Sequence, residues 1–275
     1  MAKVSAADVA KLRKALGAGM MDCKNALVEA DGDFDKAVEI IRKKGQAIAN
    51  KRADRDASEG VVLAKVSADG TKGYISVLNC ETDFVAKNDS FVEFATKIID
   101  AAIANDVKSL DQLKETSLDG KNIGEVVLEQ TGIIGEKLDV SYFAVIEAAQ
   151  VVPYIHPGNG LATMVAFNEK LSDIQVGKDV AMQIAAMSPV ALDKDSVDQT
   201  VIDKEIEIGM EQARRDGKPE AMLEKIAMGK LNKFFKENTL LNQAFVKDNK
   251  KDIKTYLKEN GNLTVKGFER YGLSN

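Results

Sequence analysis

Cys80 and His156 are the residues on which any bond chemistry would have to rest. His156 is the sole histidine in the 275 residues, and Cys23 is the only other thiol. A cysteine with an imidazole base becomes a nucleophile only if the fold brings the two within hydrogen-bond reach, which spacing alone does not establish. The ordinary alternative makes Cys80 a strand-end core residue and His156 a turn residue that caps backbone or meets a partner. There is no G-x-x-x-x-G-K-[ST] phosphate loop, no G-x-G-x-x-G after a strand, and no H-E-x-x-H or paired C-x-x-C to hold a metal. The expectation is a chain that is not an enzyme, with no cofactor, nucleotide or metal of its own.

Recognition has more to work with. Asp83 and Phe84 stand together where a strand gives way to a loop, and a carboxylate beside an aromatic ring there can form a wedge with a charged tip. The competing reading of Phe84 is a core aromatic closing a hairpin. Met20 and Met21 are adjacent on a helix, about 100° apart, so one apolar stripe cannot bury both and one is left for another surface. Methionine suits adaptable interfaces. Arg13 and Lys24, taken alone, read as solvated charges.

These residues need elements to hold them. Ser5 with Asp8 forms a capping box for a helix carrying Val9, Leu12 and Leu16 up to a break at Gly17-Ala18-Gly19. A second helix runs from about Met20 to Ala30. Asp33 caps a third, which Gly45 ends. The charged stretch Asn50–Ser58 reads as a linker or frayed helix end. Strands at Val61–Val66 and Tyr74–Cys80 join through Asp69-Gly70 into a hairpin. Ser90 and Glu93 suggest a capping box for a helix with Phe91, Phe94, Ala95, Ile98 and Ala102 on one side, and a shorter helix follows around Ile123–Gln130. Lys137–Glu147 reads as a strand. Val151–His156 and Leu161–Asn168 flank the Pro157-Gly158-Asn159-Gly160 turn of a second hairpin.

Farther on, helices over about Val197–Arg215 and Pro219–Lys236 form an antiparallel hairpin, with Gly217 ending the first and Pro219 as first residue of the second. Val201, Ile202, Ile208, Met222, Leu223 and Ile226 are its expected seam. A helix near Asp252–Lys258 and a strand near Leu263–Phe268 return to the second half of the core.

The fold class is therefore α+β, in five stretches: a helical module with linker (1–55), a first core subdomain (56–150), a second subdomain begun (151–190), interrupted by the hairpin (191–230) and completed (231–275). The 38 Lys plus Arg and 43 Asp plus Glu give a net charge of -5, so no global basic field advertises nucleic acid. Residues 1–56 hold 12 basic against 9 acidic side chains, too weak a bias to favour ribosomal RNA. No apolar run approaches the ~20 residues that span a bilayer, and Met1-Ala2-Lys3 leads into acid-containing sequence unlike a signal peptide. A cytoplasmic location with no membrane contact is expected, and both thiols are expected buried and reduced.

Two stretches carry a resemblance. Leu12-Arg13-Lys14-Ala15-Leu16-Gly17-Ala18-Gly19-Met20-Met21-Asp22-Cys23-Lys24 resembles the N-terminal signature of the elongation factor Ts family, with Leu16 where Thr is usual. Asn79-Cys80-Glu81-Thr82-Asp83-Phe84-Val85-Ala86-Lys87-Asn88 resembles its second signature. The likeness continues through Ile134-Gly135-Glu136, the His156 turn and Gly217-Lys218-Pro219, and departs at Gln243-Ala244-Phe245-Val246-Lys247, where many members have Gln-Pro-Phe-Val-Met. Longer members carry a further helical module after the position of Phe268–Tyr271, and any contact made by that module is expected to be missing here.

The resemblance implies an N-terminal ubiquitin-associated-like domain of three helices, a core of two related α+β subdomains with small antiparallel sheets, and an inserted helical hairpin. It also implies a guanine-nucleotide exchange factor that binds elongation factor Tu carrying GDP, disturbs its magnesium and phosphate site, and lets GDP leave so that GTP binds. Carried over by position, Arg13, Met20, Met21 and Lys24 would meet a helix of the partner's nucleotide domain. Asp83 and Phe84, flanked by Thr82 and Val85, would enter near its magnesium site. Ile134 and Gly135 would line the same contact, His156 would help position it, and Phe245 with Val246 would touch from the other side. A homodimer of the exchange complex through the helical hairpin is a further possibility. The alternative is a translation-associated adaptor that binds through the N-terminal module without promoting exchange.

Overall fold

The computed structural model describes residues 4–16 and 18–274, without the side chains of Gln46 and Ala49. Gly17, expected at the break between the first two helices, and Met1–Lys3 of the leader reading lie outside the described residues, as does Asn275.

Three helices open the chain: α1 (Ala6–Leu16), α2 (Met20–Glu29) and α3 (Phe34–Arg52). The Ser5–Asp8 box forms as expected: the Asp8 amide donates to Ser5 Oγ at 3.1 Å and the Ser5 amide to Asp8 Oδ2 at 3.2 Å. Asp33 caps α3 through the Lys36 amide. Leu12, Cys23, Ala26, Leu27, Ala37 and Ile41 close a small core of their own.

The third helix corrects one expectation. Gly45 does not end it; α3 continues to Arg52. Gly45 instead marks where α3 crosses α7 (Ile123–Ile134), backbone against backbone at Gly132. A glycine inside a helix is weakly unfavourable, but here the missing side chains allow a contact that no larger pair permits.

The core is α+β, as expected. Its first sheet has the order β1 (Glu59–Val66), β2 (Lys72–Cys80), β5 (Asp139–Glu147), and its second the order β10 (Val265–Gly272), β7 (Leu161–Phe167), β6 (Gln150–Ile155), all antiparallel. Successive strand residues point to opposite faces, and both faces of each hairpin are apolar. Val62, Ala64, Ile75 and Val77 meet Val151, Ala162, Met164 and Ala166 between the sheets. The opposite face of the first sheet (Val61, Leu63, Tyr74, Leu78, Cys80) takes α5 (Asp89–Ala104), α6 (Leu110–Glu115) and α7. The opposite face of the second (Val152, Val165, Phe167) takes α8 (Ile174–Met187) and α11 (Ile253–Glu259). The layers therefore run helix, sheet, sheet, helix.

Several local expectations are corrected. The cap of α5 is Asn88, which accepts from the Ser90 amide, so the Ser90–Glu93 box does not form. The one-turn α4 (Asp83–Ala86), α6, the two-residue strands β3 (Ser117–Leu118) and β4 (Lys121–Asn122), and α8 were not anticipated, and α7 extends to Ile134.

The helical hairpin is formed by α9 (Gln199–Arg215) and α10 (Glu220–Asn238). Pro219 is the residue before the helix, with an extended ψ of 140°, not its first turn. The seam is also different from the one expected. Of the expected seam Leu223 is buried and Ile208 and Met222 are exposed; the other buried positions are Gly209, Ala213, Ala227 and Leu231. Small residues at the crossing let the two backbones close up. The return segment contributes β8 (Ala244–Phe245), β9 (Asp248–Asp252), α11 and β10 to the second half.

Candidate functional site

The turn after β2 is where the structure exposes what a core would have hidden. Thr82 caps α4, its Oγ1 accepting the Val85 amide at 3.4 Å. No residue of α4 is buried. Phe84 is 84% exposed, the most exposed of the large apolar side chains described, which removes the core-aromatic reading. Asp83 beside it is paired with Lys87 at 2.6 Å, and that hydrogen bond holds its carboxyl below the ordinary value. The tip is thus a bare aromatic ring next to a fixed, ionised carboxylate.

The base of the turn is tied down. Glu136 Oε1 accepts the Thr82 hydroxyl at 2.6 Å, while Oε2 accepts the amides of Thr82 at 3.0 Å and Glu81 at 3.2 Å. Glu81 in turn accepts the Lys137 amide at 2.7 Å and the Arg52 guanidinium at 2.7 and 2.9 Å. The Lys137 amide, then the Arg52 guanidinium, lower the Glu81 pKa. Lys137 Nζ donates to the carbonyls of Ala53 and Arg55, so the stretch read as a linker or frayed helix end is fastened to the core just beyond the end of α3. Arg52, Glu81 and Glu136 have no local sequence signal; their partners lie 29 to 56 residues away.

Ile134 and Gly135 adjoin this base. Gly135 closes α7 in the left-handed conformation at φ +81°, which suits glycine. Val85 and Ile134 pack on the same apolar cluster as Ile155, the neighbour of His156. His156 itself is exposed, with Nδ1 3.1 Å from the Tyr154 hydroxyl, on a turn anchored to β1 by the Val62 amide and the Asn159 carbonyl at 2.7 Å. The structure therefore brings Thr82, Asp83, Phe84 and Val85 together with Ile134 and Gly135, while among the described residues no hydrogen bond joins His156 to that turn.

The N-terminal residues form a second feature. Arg13, Met20, Met21 and Lys24 line an open depression of about 880 Å³ whose floor includes Val9 and Ala10. Both methionines are exposed, at 59% and 62%, where spacing alone required only one to be. An apolar hollow edged by Arg13, Lys14 and Lys24 suits an amphipathic surface with acidic margins.

Phe245 and Val246 divide. Phe245 is buried and stacks on Tyr256 with ring centroids 4.3 Å apart, so in this conformation its ring offers no contact surface; Val246 is the exposed member. Two side chains on α8, Asp179 and Gln183, hold this loop, and Gln175 one turn before Asp179 supports the first. Gln175 and Lys247 both bond Asp179, Tyr256 donates to the same carboxylate, and Gln183 accepts the Val246 amide at 2.9 Å. Lys247 is thereby fixed in a salt bridge. Among the described residues no hydrogen bond joins this loop to the Thr82 turn.

Thiol chemistry finds no support. Cys80 is buried, burial pushes its thiol up to about 12, and its Sγ–H donates to the Thr82 carbonyl at 3.2 Å. A thiolate there is negligible at neutral pH. Cys23 is likewise buried and free. No cluster of potential metal ligands and no membrane-spanning helix occurs among the described residues.

Comparison with known proteins adds the lineage. The family model described as "Elongation factor TS" matches residues 81–275. The chain is 52% identical over 275 residues to an elongation factor Ts from Christiangramia forsetii, covering 99% of this chain and all of that protein. It is 53% identical over 270 residues to one from Amoebophilus asiaticus (97% and 98% covered) and 50% identical over 278 residues to one from Cytophaga hutchinsonii (all of both chains).

Proposed function

The chain belongs to the elongation factor Ts family and has a role in translation elongation, and we propose that it is the guanine-nucleotide exchange factor for elongation factor Tu in the cytoplasm. The observation that carries the proposal is Phe84: an aromatic side chain left 84% exposed, beside an ionised carboxylate, on a turn whose base is held by half-buried, charged partners. Exposed apolar groups on a rigid base are the features of a contact residue.

Bond chemistry has no part in the mechanism. A protein that binds nucleotide-free Tu more tightly than the GDP form weakens GDP binding by the same free energy. The depression around Met20 and Met21 supplies anchoring, and Phe84 with Asp83 enters near the partner's magnesium, whose charge bridges phosphate to protein. Displacing that surrounding loosens the diphosphate. GTP then binds and displaces the factor.

The test is release of fluorescent GDP from purified Tu, with and without this chain. Faster release in the presence of the chain is expected; an unchanged release rate despite complex formation would show an adaptor instead.

A further inference from the structure

We propose that Glu136 is a positioning residue for Phe84, acting through the cap residue Thr82. The inference rests on the reading of Phe84 given above and names the group that sets its aim.

The need for such a group follows from the turn itself. α4 has four residues and buries none of them, and so short a helix does not hold itself. Little surrounds the Phe84 ring, at 84% exposure, so its direction has to come from the backbone beneath. That backbone leaves β2 at Cys80 and passes Glu81 and Thr82 before the turn begins.

Glu136 meets it there with three accepted hydrogen bonds, from two successive amides and the Thr82 hydroxyl. Bonds to a carboxylate are shorter and stronger than neutral ones. Because the Thr82 hydroxyl proton is committed to Glu136, the oxygen's lone pairs are left to receive the Val85 amide. One carboxylate thus fixes both the strand exit and the rotor of the helix cap. The strap is double: Glu81 sends its own carboxylate back to the Lys137 amide, so residues 81–82 and 136–137 hold each other crosswise. Arg52 adds the end of α3 to the same knot. A tip fixed in advance loses less freedom on insertion, and small misplacements of a positioned group are costly in rate.

The experiment uses full-length protein and Tu loaded with fluorescent GDP, with release followed across factor concentrations so that the saturating rate and the half-saturating concentration separate. Glu136→Ala is expected to slow saturating release roughly tenfold, with half-saturation moved by less than about threefold because the N-terminal anchor is untouched. Glu136→Gln should stay within about twofold, since an amide can accept the two N–H groups and donate to Thr82 Oγ1. In a Phe84→Ala background, Glu136→Ala should change nothing further, because the two act as one unit. Losses that multiply would overturn the positioning role, as would wild-type release from Glu136→Ala while Phe84→Ala is slow. Wild-type release from Phe84→Ala would instead defeat the reading of Phe84, and the positioning role with it. If Glu136→Ala does not fold, Thr82→Val, which removes only the hydroxyl, is measured in the same cycle with the same expectations.

Discussion

Gly132 on α7 lies against Gly45 on α3 so closely that a Cβ placed on Gly132 would stand 2.1 Å from the Gly45 Cα. The obstruction is backbone, which cannot swing aside as a side-chain tip can.

Gly132→Ala should therefore prise the N-terminal module from the core. Alanine gains about 0.5–1 kcal/mol of helix propensity over glycine, but forced overpacking costs about 1–3 kcal/mol, so the net effect is destabilising. Limited proteolysis should cut faster across residues 53–58, and the Arg52–Glu81 pair should loosen. Unchanged melting and proteolysis would contradict the close crossing. Gly45→Ala should be milder, since its Cβ would sit 3.2 Å from the Gly132 Cα.

Phe84→Ala separates exposure from burial. An 84% exposed ring contributes little to the fold, so Tm should move by no more than ~0.5 kcal/mol requires, while Phe91→Ala, at 2% exposure, should cost about 3–5 kcal/mol. Asp83→Ala should likewise leave melting almost unchanged, because it breaks only the surface pair with Lys87. Both Phe84→Ala and Asp83→Ala should slow GDP release. Calorimetry and nucleotide release together check the pattern.

Ala227→Leu should open the helical hairpin. A Cβ on Gly209 would already lie 3.1 Å from Ala227, and both residues of the crossing are buried. The cost should be about 1–3 kcal/mol, confined to α9 and α10. Gly229→Ala on the exposed face, where nothing lies within 4 Å, should stabilise by about 0.5–1 kcal/mol. Near-normal exchange in both variants is expected if the seam serves self-packing, and hydrogen exchange of the two helices reports the local change.

Acid should release the crossed carboxylates through Glu81. Its pKa is lowered in the fold, so the stability it contributes is fully present above the ordinary value of 4.5 and disappears as pH falls through the lower folded value. The stability difference between wild type and Glu81→Gln, followed by urea unfolding, should be constant above about pH 5 and shrink below it. A difference independent of pH down to 3 would refute the assignment.

Local signals were legible in the sequence and distant ones were not. Caps at Ser5 and Asp33, both hairpin turns and the apolar strand runs depend on neighbours a few residues away, and each appears in the fold. Helix α8 escaped because Asp179 and Gln183 are polar yet buried, which blurs its apolar period. The hairpin seam is legible only at Leu223, because the contact is set by the small Gly209 and Ala227, which carry no apolar signal of their own. Phe84 was legible as a candidate but not as exposed, since an aromatic after a strand fits a core equally well. Glu136 was visible only as part of a familiar stretch; its partners come from elsewhere in the chain.

The order of strands in the second sheet also imposes a schedule on synthesis. Strand β7 pairs with β6 almost at once, but its other edge is taken by β10, with Phe167 opposite Val265 and Leu161 opposite Gly272. Roughly a hundred residues, including the whole helical excursion, must leave the ribosome in between. At about 5–20 residues per second this leaves an apolar strand with an open edge for about 5–20 s. In the first sheet the wait is shorter, since β5 closes the open edge of β2, with Asp139 opposite Asn79, and the sheet is complete at Glu147. Nascent chains halted before Val265 should therefore hold a finished first half beside an unfinished second, and the second is the one chaperones will find.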